Sequence, residues 1–215
     1  MKENKFKALT LWFAILIVLV YLLQVLIPGF TDLFVLNESS INQLQIWRFI
    51  TSIFLHGSIT HLIFNLFALL LFGILLEKLI CTGNFLYVFF ISGILANIIS
   101  VNFYPNSLGA SGAIMGIIGV LTILRPLMMV WAFGLIVPMF VASILWIIGD
   151  ILGIFFPSGI GNIAHLSGIA VGIVFGLIFR LRYKRKRGEN RSFYYNHKVK
   201  IPEDYMGVWE DRFMK

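Results

Sequence analysis

The sequence predicts an all-α, polytopic membrane protein with six transmembrane helices and an interfacial first external loop. Of 215 residues, 59% are hydrophobic and only 13% charged, where an ordinary soluble domain holds roughly 45–50% apolar residues. Mean hydropathy is +0.91. The apolar residues also fall into runs approaching the ~20 needed to cross a hydrocarbon core of about 30 Å. A third observation orients those runs: the basic residues gather on alternate connections, as the positive-inside rule requires.

Apolar stretches, read against their Gly, Pro and charged punctuation, place helices at 8–27, 58–76, 84–101, 111–124, 127–148 and 160–180. The first follows Lys2, Lys5 and Lys7 and ends at Pro28-Gly29 with no small-residue cleavage site, so it reads as a retained helix rather than a signal peptide. Six crossings put both termini on one side. Of the seventeen Lys and Arg residues, only Arg48 then lies in an external loop, while Lys78, Arg125 and everything basic from Arg180 onward is cytoplasmic. Residues 1–7 are the cytoplasmic N-terminus, 8–180 the membrane domain and 181–215 a basic cytoplasmic tail.

The cluster Arg180, Arg182, Lys184, Arg185, Lys186 and Arg187 is a stop-transfer anchor drawn to anionic headgroups. The net charge of +7 therefore points to the lipid bilayer and not to nucleic acid. Segment 28–57, with Trp47-Arg48 and mixed polarity, is expected to fold onto the membrane surface. Cys81, the single cysteine, makes no intramolecular disulfide and belongs to no metal-ligand cluster. No organelle-targeting segment is read at the N-terminus, so a prokaryotic plasma membrane is the expected setting.

Polar side chains within spans are costly and mark function. His61, Asn65, Ser111 and His165 each stand near the outer end of an inward-running helix. Ser111 precedes Arg125 by 14 residues and His165 precedes Arg180 by 15, which is roughly 21 and 22 Å at 1.5 Å per residue. His61 and Asn65, measured to Lys78, lie roughly 20–25 Å from the inner end. All four can meet in one layer, open to the outer side.

Packing brings the fourth and sixth helices together. Gly112 and Gly116 stand four apart beside Ser111, and Ala164, Gly168, Gly172 and Gly176 form a matching stripe beside His165. In lipid, faces of small residues are what let backbones approach. Close packing alone explains the glycines; it does not call for a serine beside one face and a histidine beside the other.

A serine hydroxyl needs a base within hydrogen-bond reach, and neutral imidazole suits that task near pH 7. Ser111 is thus the candidate nucleophile and His165 its general base. Attack on an amide creates an oxyanion, for which His61, Asn65 and the Ser111 backbone N–H at a helix N-terminus can donate. Asp150 and Glu77 are expected toward opposite membrane faces, away from His165. A Ser-His dyad is therefore expected rather than a triad, with packing orienting His165.

These residues resemble the rhomboid intramembrane proteases. Gly109-Ala110-Ser111-Gly112-Ala113-Ile114-Met115-Gly116 looks like the family's GxSGxxxG, and Ala164-His165-Leu166-Ser167-Gly168 through Gly172 resembles its AHxxGxxxG. Trp47-Arg48, Phe54-Leu55-His56 and His61 through Asn65 resemble its WR and HxxxN region, with Glu77 where the family places a glutamate. The resemblance runs from about residue 47 to 176. It implies a rhomboid-like six-helix core and a serine endopeptidase cutting transmembrane segments of other membrane proteins, with Ser111 as nucleophile and His165 as base. His61 and Asn65 become oxyanion-hole side chains, and no metal, nucleotide or other cofactor is implied. Met115 departs from members that carry an aromatic beneath the histidine.

Two other functions fit such a chain. A catalytically silent rhomboid-like protein would bind membrane clients, but relatives of that kind commonly lack the serine or the histidine. A transporter relaying protons through His61 and His165 would need acidic partners at mid-depth or an inverted repeat, and neither is evident. The substrate and the oligomeric state are not legible in the sequence.

Overall fold

The first long element is helix α1, Leu9–Leu26, an eighteen-residue and mostly apolar helix that exposes much of its surface. The computed structural model describes residues 7–156 and 159–196, with the backbone alone over 183–196. Lys2, Lys5 and the end of the tail lie outside the described residues.

Four short pieces follow α1: α2 (Phe30–Phe34), β1 (Leu36–Asn37), α3 (Ser39–Asn42) and α4 (Arg48–Thr51). Arg48, in the segment expected to fold onto the membrane surface, is 7% exposed. Its guanidinium donates to the carbonyls of Asp32 and Val35 at 2.7 and 2.6 Å and to Gln45 Oε1 at 2.5 Å. A buried cation bonded to the end of α2 and to Gln45 fixes an irregular segment that has little regular structure of its own. Trp47 remains half-exposed, its indole donating to the Leu33 carbonyl.

The longest path begins at α5 (Ile59–Ala68), passes through a π-turn over Leu69–Gly73 and continues as α6 (Ile74–Ser100). These 42 residues would form a rod of about 63 Å if straight. The backbone breaks at Cys81, φ 67° and ψ 157°. Gly73, before the break, packs on Thr10, and Phe85 and Phe89, after it, pack on Phe13 with ring centroids 6.2 and 4.7 Å away. Both halves thus lie against the start of α1, and the chain doubles back at Cys81.

Glu77, fully buried, pins that corner. Its carboxylate accepts the backbone N–H groups of Leu9 and Thr10 at 2.9 and 3.0 Å and the hydroxyls of Thr10 and Thr82 at 2.8 and 2.7 Å. Helix α1 has no side-chain cap of its own, so Glu77 supplies from a distant element the anion that orphan N-terminal amides require.

Strand β2 (Asn106–Ser107) pairs antiparallel with β1, and α7 (Ser111–Leu124) follows, buried along nearly its whole length. A hairpin of β3 (Met129–Ala132) and β4 (Leu135–Pro138) leads into α8 (Met139–Phe155). The helix expected over 127–148 is therefore displaced: its first part is the hairpin, turned at Phe133-Gly134 with φ 54° and 78°. Pro138, with extended backbone, immediately precedes α8.

Helix α9 runs Asn162–Asn196. The chain divides into a compact unit, 1–177, and a second, 178–215, whose described residues are helical. Leu9–Leu26, Ile59–Ser100 and Asn162–Arg182 are long and apolar enough to cross a membrane, while Ser111–Leu124 and Met139–Phe155 are shorter apolar helices.

Candidate active site

Helices α7 and α9 approach backbone to backbone. A Cβ on Gly168 would overlap the Gly112 carbonyl oxygen, and one on Gly172 would overlap that of Gly116. The Cα positions of Gly112 and Gly116 face α6 as well, where a Cβ would strike Ala96 and Ser92 respectively. Gly112 and Gly116 therefore each serve two neighbours, while Gly119 meets only the α9 backbone at Ile169, Gly172 and Ile173.

Ser111 opens α7 directly beyond that contact, half-buried, with the first-turn amides that lack an intrahelical carbonyl. His165 stands one turn before Gly168 on α9, its side chain 19% exposed. Ser111, His165, His61 and Asn65 all line one cavity of about 1470 Å³. Apolar residues of α5 and α8, among them Phe64, Phe67 and Trp146, form much of its wall.

His61 and Asn65 come from α5. Ser58 caps that helix through the His61 N–H, and Asn65 Nδ2 donates to the His61 carbonyl at 2.9 Å. Asn65 Oδ1 has no partner, and the residue is 5% exposed. The loop before Ser111 is held on three sides. Gly109 N–H donates to the Ser52 carbonyl at 2.9 Å, β2 pairs with β1, and the Ile163 N–H donates to the Tyr104 hydroxyl at 3.1 Å. Gly109 has φ +124°, and a Cβ there would sit 2.7 Å from Cε1 of His61. Only glycine lets the loop lie flat on that imidazole.

One expectation is overturned here. Asp150 does lie beside His165, with Oδ1 3.0 Å from the imidazole Nδ1. The displacement of α8 is the cause. A helix ending at 148 leaves Asp150 beyond its end, whereas one starting at Met139 carries it 11 residues, about 16 Å, along the axis. Glu77 stays apart, committed to α1. His56, behind His61 with ring centroids 5.0 Å apart, lies in the loop before α5, where burial pushes its pKa down to about 4. Met115, 5% exposed, also lines the cavity. Among the described residues no group of three or more His, Cys, Asp or Glu is arranged to hold a metal.

The model of the rhomboid domain matches residues 43–182, which holds every residue of this site. The chain belongs to the rhomboid family. The RHOMBOID-like protein 6, mitochondrial, of Arabidopsis thaliana is 33% identical over 138 residues, 63% of this chain and 44% of the relative. The rhomboid protease GlpG of Yersinia pestis is 31% identical over 183 residues, 77% of this chain and 60% of the relative. The rhomboid protease GluP of Bacillus subtilis is 43% identical over 86 residues, 40% of this chain and 17% of the relative. The chain thus spans less than half of the plant relative's length. Family and apolar helices together make this rhomboid an integral membrane protein.

Proposed function

We propose that this rhomboid is an intramembrane serine endopeptidase that hydrolyses peptide bonds in or next to transmembrane segments of membrane-protein substrates. The observation that carries the reading is the convergence of Ser111, His165, His61 and Asn65 from three helices on one cavity. With the turn at Cys81 counted as a reversal, the helices make six crossings. The uneven distribution of the basic residues supports the reading of both termini on the cytoplasmic side and the cavity mouth toward the outer side.

In the reaction, Ser111 Oγ attacks the scissile carbonyl carbon while Nε2 of His165 takes its proton. The carbonyl oxygen becomes an oxyanion that accepts from the Ser111 N–H, from Asn65 Nδ2 and from the His61 ring N–H. Collapse expels the amine, which takes the proton from His165 and leaves an acyl-Ser111 ester. Water, deprotonated by His165, attacks that ester; the bond from Oγ to the acyl carbon breaks, His165 returns the proton to Oγ, and the product bearing the new carboxyl group leaves. The apolar walls on α5 and α8 suit a substrate that enters from lipid. No cofactor takes part.

Labelling in detergent with a fluorophosphonate, followed by mass spectrometric mapping, tests the reading. The adduct is expected on Ser111, and both Ser111→Ala and His165→Ala should abolish labelling and cleavage of a model transmembrane substrate. Undiminished cleavage by either purified variant would sink it. A folded wild-type protein that neither labels nor cleaves would mark a catalytically silent client binder.

A further inference from the structure

Resting on the protease reading, we propose that Asp150 is a positioning residue for His165, holding the imidazole with its proton on Nδ1 and Nε2 turned toward Ser111. The arrangement follows from how α8 meets α9. Gly153 faces Asn162 so closely that a Cβ on Gly153 would lie 2.6 Å from Asn162 Nδ2. The two helices run antiparallel, so three residues back along α8 and three forward along α9 the next facing pair is Asp150 and His165. Their Oδ1 and Nδ1 are 3.0 Å apart. The glycine sets the separation, and the carboxylate uses it.

The burial of Asp150 argues that it is retained for a purpose. It is 7% exposed on a helix with no other charged residue, and Oδ2 has no partner. A carboxylate so placed costs stability unless it is paired, and His165 is the partner the geometry provides. An ionised carboxylate only accepts, so it selects the tautomer with N–H at Nδ1 and leaves the Nε2 lone pair free. When Nε2 takes the Ser111 proton, the imidazolium forms beside a fixed negative charge in a medium of low dielectric. A protonated Asp150 donating to Nδ1 would give the opposite tautomer, with Nε2 blocked, so the inference has a definite sign.

The test reads the tautomer and the kinetics separately. In protein labelled with 15N-histidine, His165 should show a protonated Nδ1 and a bare Nε2, and Asp150→Asn should reverse or mix that pattern because its amide can donate to Nδ1. For the same variant kcat should fall on the order of 10²- to 10⁴-fold while KM moves by about twofold or less, and Asp150→Glu should recover part of the loss. A bare Nδ1 in the wild type, or an Asn variant with undiminished kcat, overturns the proposal. So does an Asp150→Glu variant no better than Asp150→Asn, which would mark a merely structural side chain. If Asp150→Asn does not fold, the wild-type tautomer decides alone. If the wild-type protein neither labels at Ser111 nor cleaves, the protease reading fails, while the His165 tautomer still judges Asp150.

Discussion

Gly168 on α9 rests on the carbonyl oxygen of Gly112 on α7, so closely that a single added methyl would overlap it. Because Ser111 and His165 flank this contact, helix separation and site geometry are one variable. Gly168→Ala should force the helices apart, at a cost of about 1–3 kcal/mol or more, and slow labelling of Ser111. Gly149 supplies the control: it is exposed on α8, with nothing within 4 Å of an added Cβ, so Gly149→Ala should be neutral or slightly stabilising. Apparent unfolding temperatures in one detergent compare the two. Equal values would mean that α7 and α9 are not in backbone contact.

Asn65 offers a separable measurement. Its amide carries two protons, and the His61 carbonyl takes one at 2.9 Å, leaving the other for an oxyanion in the cavity. Asn65→Ala should therefore lower kcat by about 10²-fold with little change in KM. A variant with full kcat would remove Asn65 from the oxyanion hole and leave Ser111 and His165 untouched.

The parts of the site visible in the sequence are those set by local spacing. His61 with Asn65, and Gly168 with Gly172, are pairs four residues apart, and any helix puts such pairs on one face. The layer they share with Ser111 could be counted from the basic residues that follow each helix. Asp150 was hidden because its position depends on where α8 begins. Residues 129–138 are apolar whether helical or extended, and a short apolar run does not reveal its period. The Phe133-Gly134 turn between strand-forming residues and Pro138 before the helix were the signals that mark a hairpin there. The burial of Arg48 was equally hidden, since two of its three acceptors are backbone carbonyls 13 and 16 residues away.

Gly109 tests whether the loop before Ser111 acts through His61. An added Cβ meets the imidazole at 2.7 Å and also strains a backbone at φ +124°. Gly109→Ala should slow labelling of Ser111, and the loss should shrink in a His61→Ala background, where the steric part disappears. A double-mutant cycle on labelling rate measures that coupling. Strict additivity would mean that the substitution acts on the backbone alone.

Glu77 governs stability rather than chemistry, and replacing one oxygen should reveal how. In Glu77→Gln the amide oxygen can keep the Thr10 N–H and hydroxyl, which both bond Oε2. The new NH₂ then faces Thr82, whose hydroxyl can turn to accept it, and the Leu9 N–H, which can only donate. One part-buried donor is stranded and the anion at the N-terminus of α1 is lost. Together these should cost about 3 kcal/mol. The expected result is a lower apparent unfolding temperature and faster hydrogen exchange at the Leu9 amide, with Ser111 still labelled at temperatures where the variant is folded. An unchanged exchange rate at Leu9 would mean that α1 is held by its apolar packing around Phe13, with the carboxylate contributing nothing to that helix end.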